Sequence, residues 1–226
     1  MIVMKKIFFL LLIVVLISCT SQKTTATYKE LQLLKQLKSI DDTLTIEESI
    51  IVNDFLNIEF ASETLKYYYS LEIILIEEAG NGIENLIAYE YAYNDFHSDG
   101  KKATAEVNER LGWILDTIQI KDLKNKYSNK KEYHWKSSDI KNLKVNIMKK
   151  ETFSNIIRSS EHIKLPEKIV IYITKPLMID NNNALVSFRS GSSRLGFTTI
   201  NNYTALMKKT NGKWKIGASY WDGSVE

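Results

Sequence analysis

The spacing of apolar residues changes along the chain, from a helical period in the first half to a strand period in the second. Up to about residue 132, apolar side chains recur every three or four residues, as along one face of a helix. From Tyr133 onwards, short apolar and β-branched runs alternate with turn residues, which is typical of strands. The pattern predicts a single α+β domain, 28–226, in which an N-terminal helical half, 28–132, packs on a C-terminal antiparallel β-sheet, 133–226.

Local turn signals indicate parts of that sheet. Asn211 and Gly212 lie between two strand-like runs, and both tolerate the positive φ of a type I′ turn, so we expect a hairpin there. The apolar run 169–174 predicts a buried central strand. Residues 180–183 predict a second hairpin loop, and 191–193 the turn that follows it.

The first half contains start and stop signals for helices. Thr45 and Glu48 have the spacing of a capping box, in which each side chain bonds the other residue's amide. Residues 65–79 suit a buried helix or a strand, and the glutamates before Gly80 favour a helix. We also expect helices over 31–40 and 83–97. A further helix would place four apolar residues on one face: Val107, Leu111, Ile114 and Ile118.

The N-terminus has the three parts of a secretory signal. Lys5 and Lys6 form a basic start, an apolar run covers 7–17, and Ser18 is a small residue before the break. A membrane-spanning helix needs about 20 apolar residues, and this run is shorter. The sequence therefore predicts a cleaved signal peptide over 1–18. The alternatives are an anchor that keeps its signal and a secreted protein without a lipid.

The four residues Leu16-Ile17-Ser18-Cys19 resemble the lipobox of bacterial lipoproteins. In that family the signal is cut just before the cysteine, which then carries a diacylglycerol and usually a further fatty chain such as palmitate. The resemblance implies that Cys19 is the lipid-attachment residue and that these chains hold the protein on a membrane. The small polar residues up to 27 predict a flexible tether over 19–27. Thr20, in place of an aspartate, implies the outer membrane of the cell envelope, facing the periplasm.

Two further stretches resemble a group of uncharacterised lipoproteins from Bacteroidota-type bacteria. They are IEEAGNGIENLIAYEYAYNDF, and KPLMIDNNNALVSF followed by NGKWKI. In that group a Lys-Pro-led strand, a polar turn and a second strand precede a closing hairpin. The resemblance implies a shared fold and location and no particular activity.

Composition excludes several classes of function. The formal charge is +3 without any long block of like charge, so neither a nucleic-acid surface nor a polybasic membrane patch is indicated. Cys19 is the only cysteine, and once it is lipidated no thiol remains for disulfides, thiolate catalysis or cysteine-bound metals. No phosphate loop, nucleophile elbow or zinc-protease motif occurs, so we expect no cofactor and no metal.

The predicted helix 83–97 carries a polar seam within an apolar face. Glu90, Asn94 and His97 fall at i, i+4 and i+7. Such a set could bind a polar ligand or a metal, or the glutamate could hold a histidine tautomer for proton transfer. Alternatively, the three side chains satisfy one another or nearby backbone, or His97 lies in solvent.

Other histidines and aromatic residues give weaker signals. Tyr133 and Trp135 would share one strand face with His134 on the other, and His162 precedes a loop. Three aromatic residues near the C-terminus could line a groove for a sugar or peptide, or cover the core: Trp214, Tyr220 and Trp221.

The sequence as a whole favours a membrane-anchored lipoprotein that is non-catalytic and binds an envelope protein or a glycan, or occupies a structural place in the envelope. One alternative is a small hydrolase or ligand-binding domain that uses the seam of Glu90, Asn94 and His97. Another is an immunity or inhibitor lipoprotein.

Overall fold

A mixed β-sheet of seven strands carries the helices of the domain. The computed structural model describes residues 43–80, 82–98, 104–128, 132–159, 163, 166–193 and 199–221. These residues belong to one compact unit, 43–226. Cys19, His162 and the predicted signal peptide, tether and helix 31–40 lie outside the described residues, so the predictions made on them stay predictions.

Six α-helices are described: α1 Ile46–Ala61, α2 Glu63–Lys66, α3 Glu84–Ser98, α4 Ala105–Leu111, α5 Thr117–Tyr127 and α6 Lys150–Arg158. Two 3₁₀ turns cover Tyr67–Ser70 and Ser137–Asp139. The strands are β1 Glu72–Ile76, β2 Glu78–Ala79, β3 Tyr133–His134, β4 Val145–Met148, β5 Lys168–Ile173, β6 Leu177–Met178, β7 Asn183–Ser192, β8 Thr199–Thr210 and β9 Lys213–Tyr220. No helix in these ranges is both long enough and apolar enough to cross a bilayer.

The strand order of the main sheet is β4-β1-β5-β7-β8-β9, and β6 pairs with β7. β1 runs parallel to both β4 and β5, whereas the remaining pairs are antiparallel. β2 and β3 form a separate two-stranded ribbon. The α+β class is confirmed, with helices mostly in the N-terminal half and a mainly antiparallel sheet towards the C-terminus.

The predicted helix over 65–79 is wrong for most of its length. After α2 and a 3₁₀ turn, this stretch forms β1 and β2. Four of the five residues of β1 are buried, because the strand has a neighbour on each edge and packed side chains on each face. A strand buried on both faces is apolar throughout, and such a run lacks the alternation that distinguishes a strand from a helix.

The single predicted helix through Val107 and Ile118 is also wrong, since the chain breaks between α4 and α5. Gly112 has φ +69° and ends α4 in the left-handed conformation that glycine adopts readily. Asp116 then begins α5 with a capping box to Gln119.

The predicted local turns are largely confirmed. Thr45 and Glu48 form the expected capping box at the start of α1. Asn211 and Gly212 have φ of 51° and 77°, as a type I′ turn requires, and they join β8 to β9. The turn expected at 191–193 is wrong, because Gly191 and Ser192 continue β7 past a register shift.

The two faces of the sheet are covered differently. The closed face packs against α1, where Phe55 meets the ring of Phe188 edge-on in the main hydrophobic core. Among the described residues, helices cover the open face at two places. Leu86 and Tyr89 of α3 pack over β6 to β9 together with α5, and Phe153 of α6 packs over β1 and β5.

Candidate functional site

A cleft of about 400 Å³ lies on the open face between α3 and α6. Ile87 and Ala88 of α3 form one wall, and Lys150, the first residue of α6, lies on another. Strands β5, β7 and β8 provide the floor. The volume falls within the range of about 300–1,000 Å³ that is typical of small-molecule sites.

The floor of the cleft consists of two cross-strand rows of polar residues. The first row is Tyr172, Arg189 and Asn202, which are paired across β5, β7 and β8. The second row is Thr174, Ser187 and Thr204. On the same face, Val170 lies before the first row and Leu185 beyond the second, and both are buried under helices. On this face the strands therefore carry polar side chains in the gap between α3 and α6, and apolar side chains beneath the helices.

Asn85 in the first turn of α3 fixes the edge of this floor. Its Oδ1 accepts from Thr174 Oγ1 and from the Ser187 backbone amide, both at 2.6 Å. Its Nδ2 donates to the Lys175 carbonyl at 3.0 Å. The side chain is fully buried, so these bonds replace all its contact with water. Asn85 therefore holds α3 on the sheet and positions one wall of the cleft.

A pair of hydroxyl groups lies at the centre of the second row. Ser187 Oγ and Thr204 Oγ1 are 2.7 Å apart, and either one can be the donor. Only one hydroxyl hydrogen is used between them, so the pair retains a second donor for another partner. Thr204 is buried while Ser187 is half-buried, which places the serine nearer to a bound molecule.

Charged side chains of both signs line the cleft. The acidic ones are Glu78, Glu84 and Glu132, and the basic ones are Lys150 and Arg189. Glu78 Oε2 accepts from the Lys150 backbone amide at 2.7 Å, so it also holds the start of α6. A ligand in the cleft would therefore meet positive and negative groups together.

Gly80 allows the carboxylate of Glu84 to enter the cleft. A Cβ atom at this position would clash with Glu84 Oε2 and lie 3.1 Å from Thr174 Cγ2. Because any larger residue would displace the carboxylate, the glycine places Glu84 beside the second row of the floor.

Tyr172 contributes a neutral hydroxyl to the first row. Burial raises the pKa of Tyr172, the positive charge of Arg189 opposes that rise, and the negative charge of Glu78 adds to it. The phenol therefore stays protonated at neutral pH and can both donate and accept a hydrogen bond.

The predicted seam on α3 does not converge on one point. Glu90 forms an ion pair with Lys124 of α5. Asn94 is exposed, and His97 stacks on the ring of Tyr93 while its Nδ1 donates to the Tyr93 carbonyl at 2.7 Å. Within the part of the chain that the structure describes, no hydrogen bond joins any two of the three seam residues.

A second, shallower hollow lies beside the end of α3. It brings His97 together with Tyr93, Trp113, Asp116 and Gln119. The last two are already bonded in the cap of α5. The indole N–H of Trp113 is buried without a hydrogen-bond partner among the described residues. The rings of Tyr89 and Tyr93 are perpendicular to the indole ring. Asp116 and Gln119 in this hollow thus serve the local fold.

The remaining predicted aromatic residues are divided between core and surface. Tyr133 and Trp135 are buried, and His134 is exposed with its Nδ1 3.3 Å from Oε1 of Glu77, the residue between β1 and β2. Trp214 and Tyr220 are buried in the two main cores, while Trp221 is 69% exposed. Trp214 and Tyr220 therefore cover the core, as one of the two interpretations expected.

Among the described residues, no group of three or more His, Cys, Asp or Glu side chains could hold a metal ion. The cleft residues were not identified as a site from the sequence. A signal was present, because polar residues occur at every second position in three strands: Tyr172 and Thr174, Ser187 and Arg189, Asn202 and Thr204.

Comparison with known proteins found no match: no family model, no curated protein and no solved structure matches this chain. The cleft and the N-terminal sequence are the features of this chain that bear on its function.

Proposed function

We propose that this chain is a lipid-anchored, non-catalytic binding protein of the bacterial envelope, and that its ligand site is the cleft between α3 and α6. The observation that carries the binding part is the polar floor. Two rows of polar side chains interrupt an otherwise apolar sheet face where none of the described helices covers it. A concave site that combines apolar walls with a few placed polar groups is the usual form of a small-molecule site.

The anchoring part is supported by the lipobox. Cys19 follows a short basic and apolar signal, and several fatty chains on one residue would hold the domain on a membrane almost permanently. The polar segment after Cys19 would give the domain freedom to reach a ligand near that membrane.

Anchoring can be tested by labelling cells with a tagged fatty acid. The mature chain should carry the label and remain in the membrane fraction until detergent is added. The Cys19→Ala variant should lose both properties, whereas the Ser21→Ala variant, two residues further on, should keep them. An unlabelled wild-type chain, or one that washes off vesicles in buffer, would show that the anchoring proposal is wrong.

The binding site can be tested by blocking the cleft. Ile87 is 48% exposed and lines the cleft, so Ile87→Trp should fill its mouth without disturbing the core. Tyr91 lies one turn further along α3, is 51% exposed and does not line the cleft, so Tyr91→Trp is the matched control.

We expect a molecule to copurify from the native envelope with the wild-type chain and with Tyr91→Trp, and to be lost from Ile87→Trp. Mass spectrometry of the purified proteins detects it, and melting temperatures check that both variants are folded. A copurifying molecule that Ile87→Trp still retains places binding elsewhere. If nothing copurifies with the wild-type chain, the binding proposal fails.

A further inference from the structure

We infer that the cleft binds an uncharged sugar of one or two rings, an inference that rests on the binding function proposed above. The volume of the cleft, about 400 Å³, is at the small end of the usual range for ligand sites. That size suits a mono- or disaccharide, and not the surface of a folded partner.

Hydroxyl groups on the floor of the cleft have hydrogen-bonding capacity left for a ligand. Ser187 Oγ and Thr204 Oγ1 use one hydroxyl hydrogen between them, and among the described residues the other hydrogen has no acceptor. The Tyr172 hydroxyl is protonated and makes no hydrogen bond within the part of the chain that the structure describes. Tyr172 and Ser187 lie diagonally on the paired strands β5 and β7, about 7–8 Å apart, so one small ligand can reach both.

The charged groups of the cleft favour a neutral ligand. Glu78 and Arg189 shift the pKa of Tyr172 in opposite directions, so their fields partly cancel where the ligand would lie. Arg189 and Glu84 each have other partners within the protein as well. A charged ligand would therefore lose its hydration in the cleft without gaining a strong opposite charge. A sugar hydroxyl can donate to a carboxylate or accept from a guanidinium, so groups of both signs can bind it.

Apolar groups beside these polar ones match the C–H faces of a sugar ring. Ile87 and Ala88 of α3 form one wall of the cleft, and Ile87 is 48% exposed. The half-buried ring of Tyr172 is held in a T-shaped contact with Phe153 of α6, with 6.3 Å between the ring centres. A sugar presents hydroxyl groups and C–H groups together, so an apolar wall beside a hydroxyl floor suits it better than it suits a purely apolar molecule.

The test measures the binding of sugars to the full mature chain in detergent by titration calorimetry. The neutral probes are glucose, galactose, N-acetylglucosamine, maltose, lactose and chitobiose, and at least one of them should bind with a Kd below about 1 mM. The charged probes are glucuronate, galacturonate, glucosamine and trialanine. Each should bind at least about fivefold more weakly than the best neutral sugar, because its charge is desolvated without compensation.

Two variants test the hydroxyl groups of the floor. Tyr172→Phe and Ser187→Ala each remove one oxygen, and each should weaken binding of the best sugar by about three- to tenfold. The Ser187 amide that bonds Asn85 is unchanged in the second variant. The matched controls are Tyr91→Phe on α3 and Ser219→Ala on β9, which are exposed, do not line the cleft and should bind as wild type does. Equal affinities of all four variants would place the sugar away from this floor and contradict the inference.

The outcomes separate this inference from the binding function itself. If no neutral sugar binds with a Kd below about 1 mM, or if a charged probe binds at least as tightly as the best of them, the sugar inference is wrong. The proposed function then still stands if an envelope molecule copurifies with the wild-type chain and is lost from Ile87→Trp. The comparison of neutral and charged probes needs no variant, so a folding defect in Tyr172→Phe or Ser187→Ala would not prevent a decision.

Discussion

The closed and open faces of the sheet belong to the same strands and yet differ in chemistry. On the closed face, alternate residues stay apolar along β5 and β7 as far as Ile173 and Phe188, beneath the length of α1. On the open face, the two polar rows of the cleft floor lie between buried Val170 at one end and buried Leu185 at the other. The closed face also has its exceptions, such as Glu59, which is buried and bonded to Tyr203.

This difference helps to distinguish polar residues that serve packing from polar residues that line the proposed ligand site. A buried polar group that is bonded within the fold, such as Asn85, reports on packing. The polar rows under the gap between the helices combine both aspects, because Thr174, Ser187 and Thr204 are bonded within the fold and also line the cleft. Stability measurements should separate the two kinds of position.

The largest expected effect is on the closed face. Phe55 is fully buried and its ring centre is 5.3 Å from that of Phe188, so Phe55→Ala should cost about 3–5 kcal/mol in the free energy of unfolding. Ile87→Ala at the cleft should change it by no more than about 0.5 kcal/mol, because this side chain is half-exposed. Urea denaturation measures both, and similar losses at the two positions would contradict the contrast between the faces.

The next effect concerns the residue that joins α3 to the floor. Asn85→Ala removes an acceptor from Thr174 and a donor from the Lys175 carbonyl inside the protein, which should cost about 1–3 kcal/mol. Asn94→Ala on the same helix is the control, because Asn94 is exposed and should be worth less than about 0.5 kcal/mol. An equal loss for both would show that the buried bonds of Asn85 contribute no more than an exposed asparagine on the same helix.

A smaller effect depends on pH. Glu47 Oε1 accepts from Lys209 Nζ and from Trp214 Nε1, both at 2.6 Å, and these bonds lower the pKa of Glu47. The folded state therefore favours the carboxylate, and its stabilising effect is present at neutral pH and lost as the pH falls below about 4.5. Glu47→Gln should be less stable than wild type by about 1 kcal/mol at pH 7.

That difference should shrink towards pH 3, as followed by urea unfolding at several pH values. Glu63→Gln is a suitable control, since Glu63 is exposed just after α1. A difference that does not vary with pH would show that the bonds to Glu47 carry no ionic contribution.

The smallest effect has the opposite sign. Burial raises the pKa of Glu59, and the hydrogen bond from Tyr203 only partly opposes this. The folded state therefore favours the protonated acid, so its contribution to stability falls as the pH rises above about 4.5. Glu59→Gln keeps an acceptor for Tyr203 and removes the charge.

The melting temperature of Glu59→Gln relative to wild type should therefore be higher at pH 7 than at pH 4. Two glutamates of α1 would then respond to pH in opposite directions, because one is bonded to a lysine at the surface and the other is buried. A relative melting temperature that is the same at both pH values would contradict this assignment.

Features of the fold that depend on neighbouring residues could be predicted from the sequence. The capping box of Thr45 and Glu48 and the turn of Asn211 and Gly212 each need only a few adjacent residues, and both are present. The break at Gly112 was predictable in the same way, because Asp116 and Gln119 follow with the spacing of a helix start.

Features that depend on distant partners could not be predicted in this way. The strand character of β1 depends on β4 and β5, which come from the other half of the chain, so its own residues left the choice of helix or strand open. The cleft combines Glu84, Lys150 and three strands, and only their pairing brings them together. The seam on α3 was visible as a pattern, yet Glu90 is paired with Lys124, a neighbour that its spacing does not reveal.

The central position of β1 has a consequence for how this protein reaches its native state. Ile73 pairs with Val145 on one edge of β1 and with Ile169 on the other, so neither hydrogen-bonded neighbour exists until most of the chain is available. Such long-range pairing gives a high contact order and slow folding. Until it is complete, an apolar strand with two bare edges is open to aggregation, so we expect a nascent chain to be most prone to it before residue 173 is available for pairing.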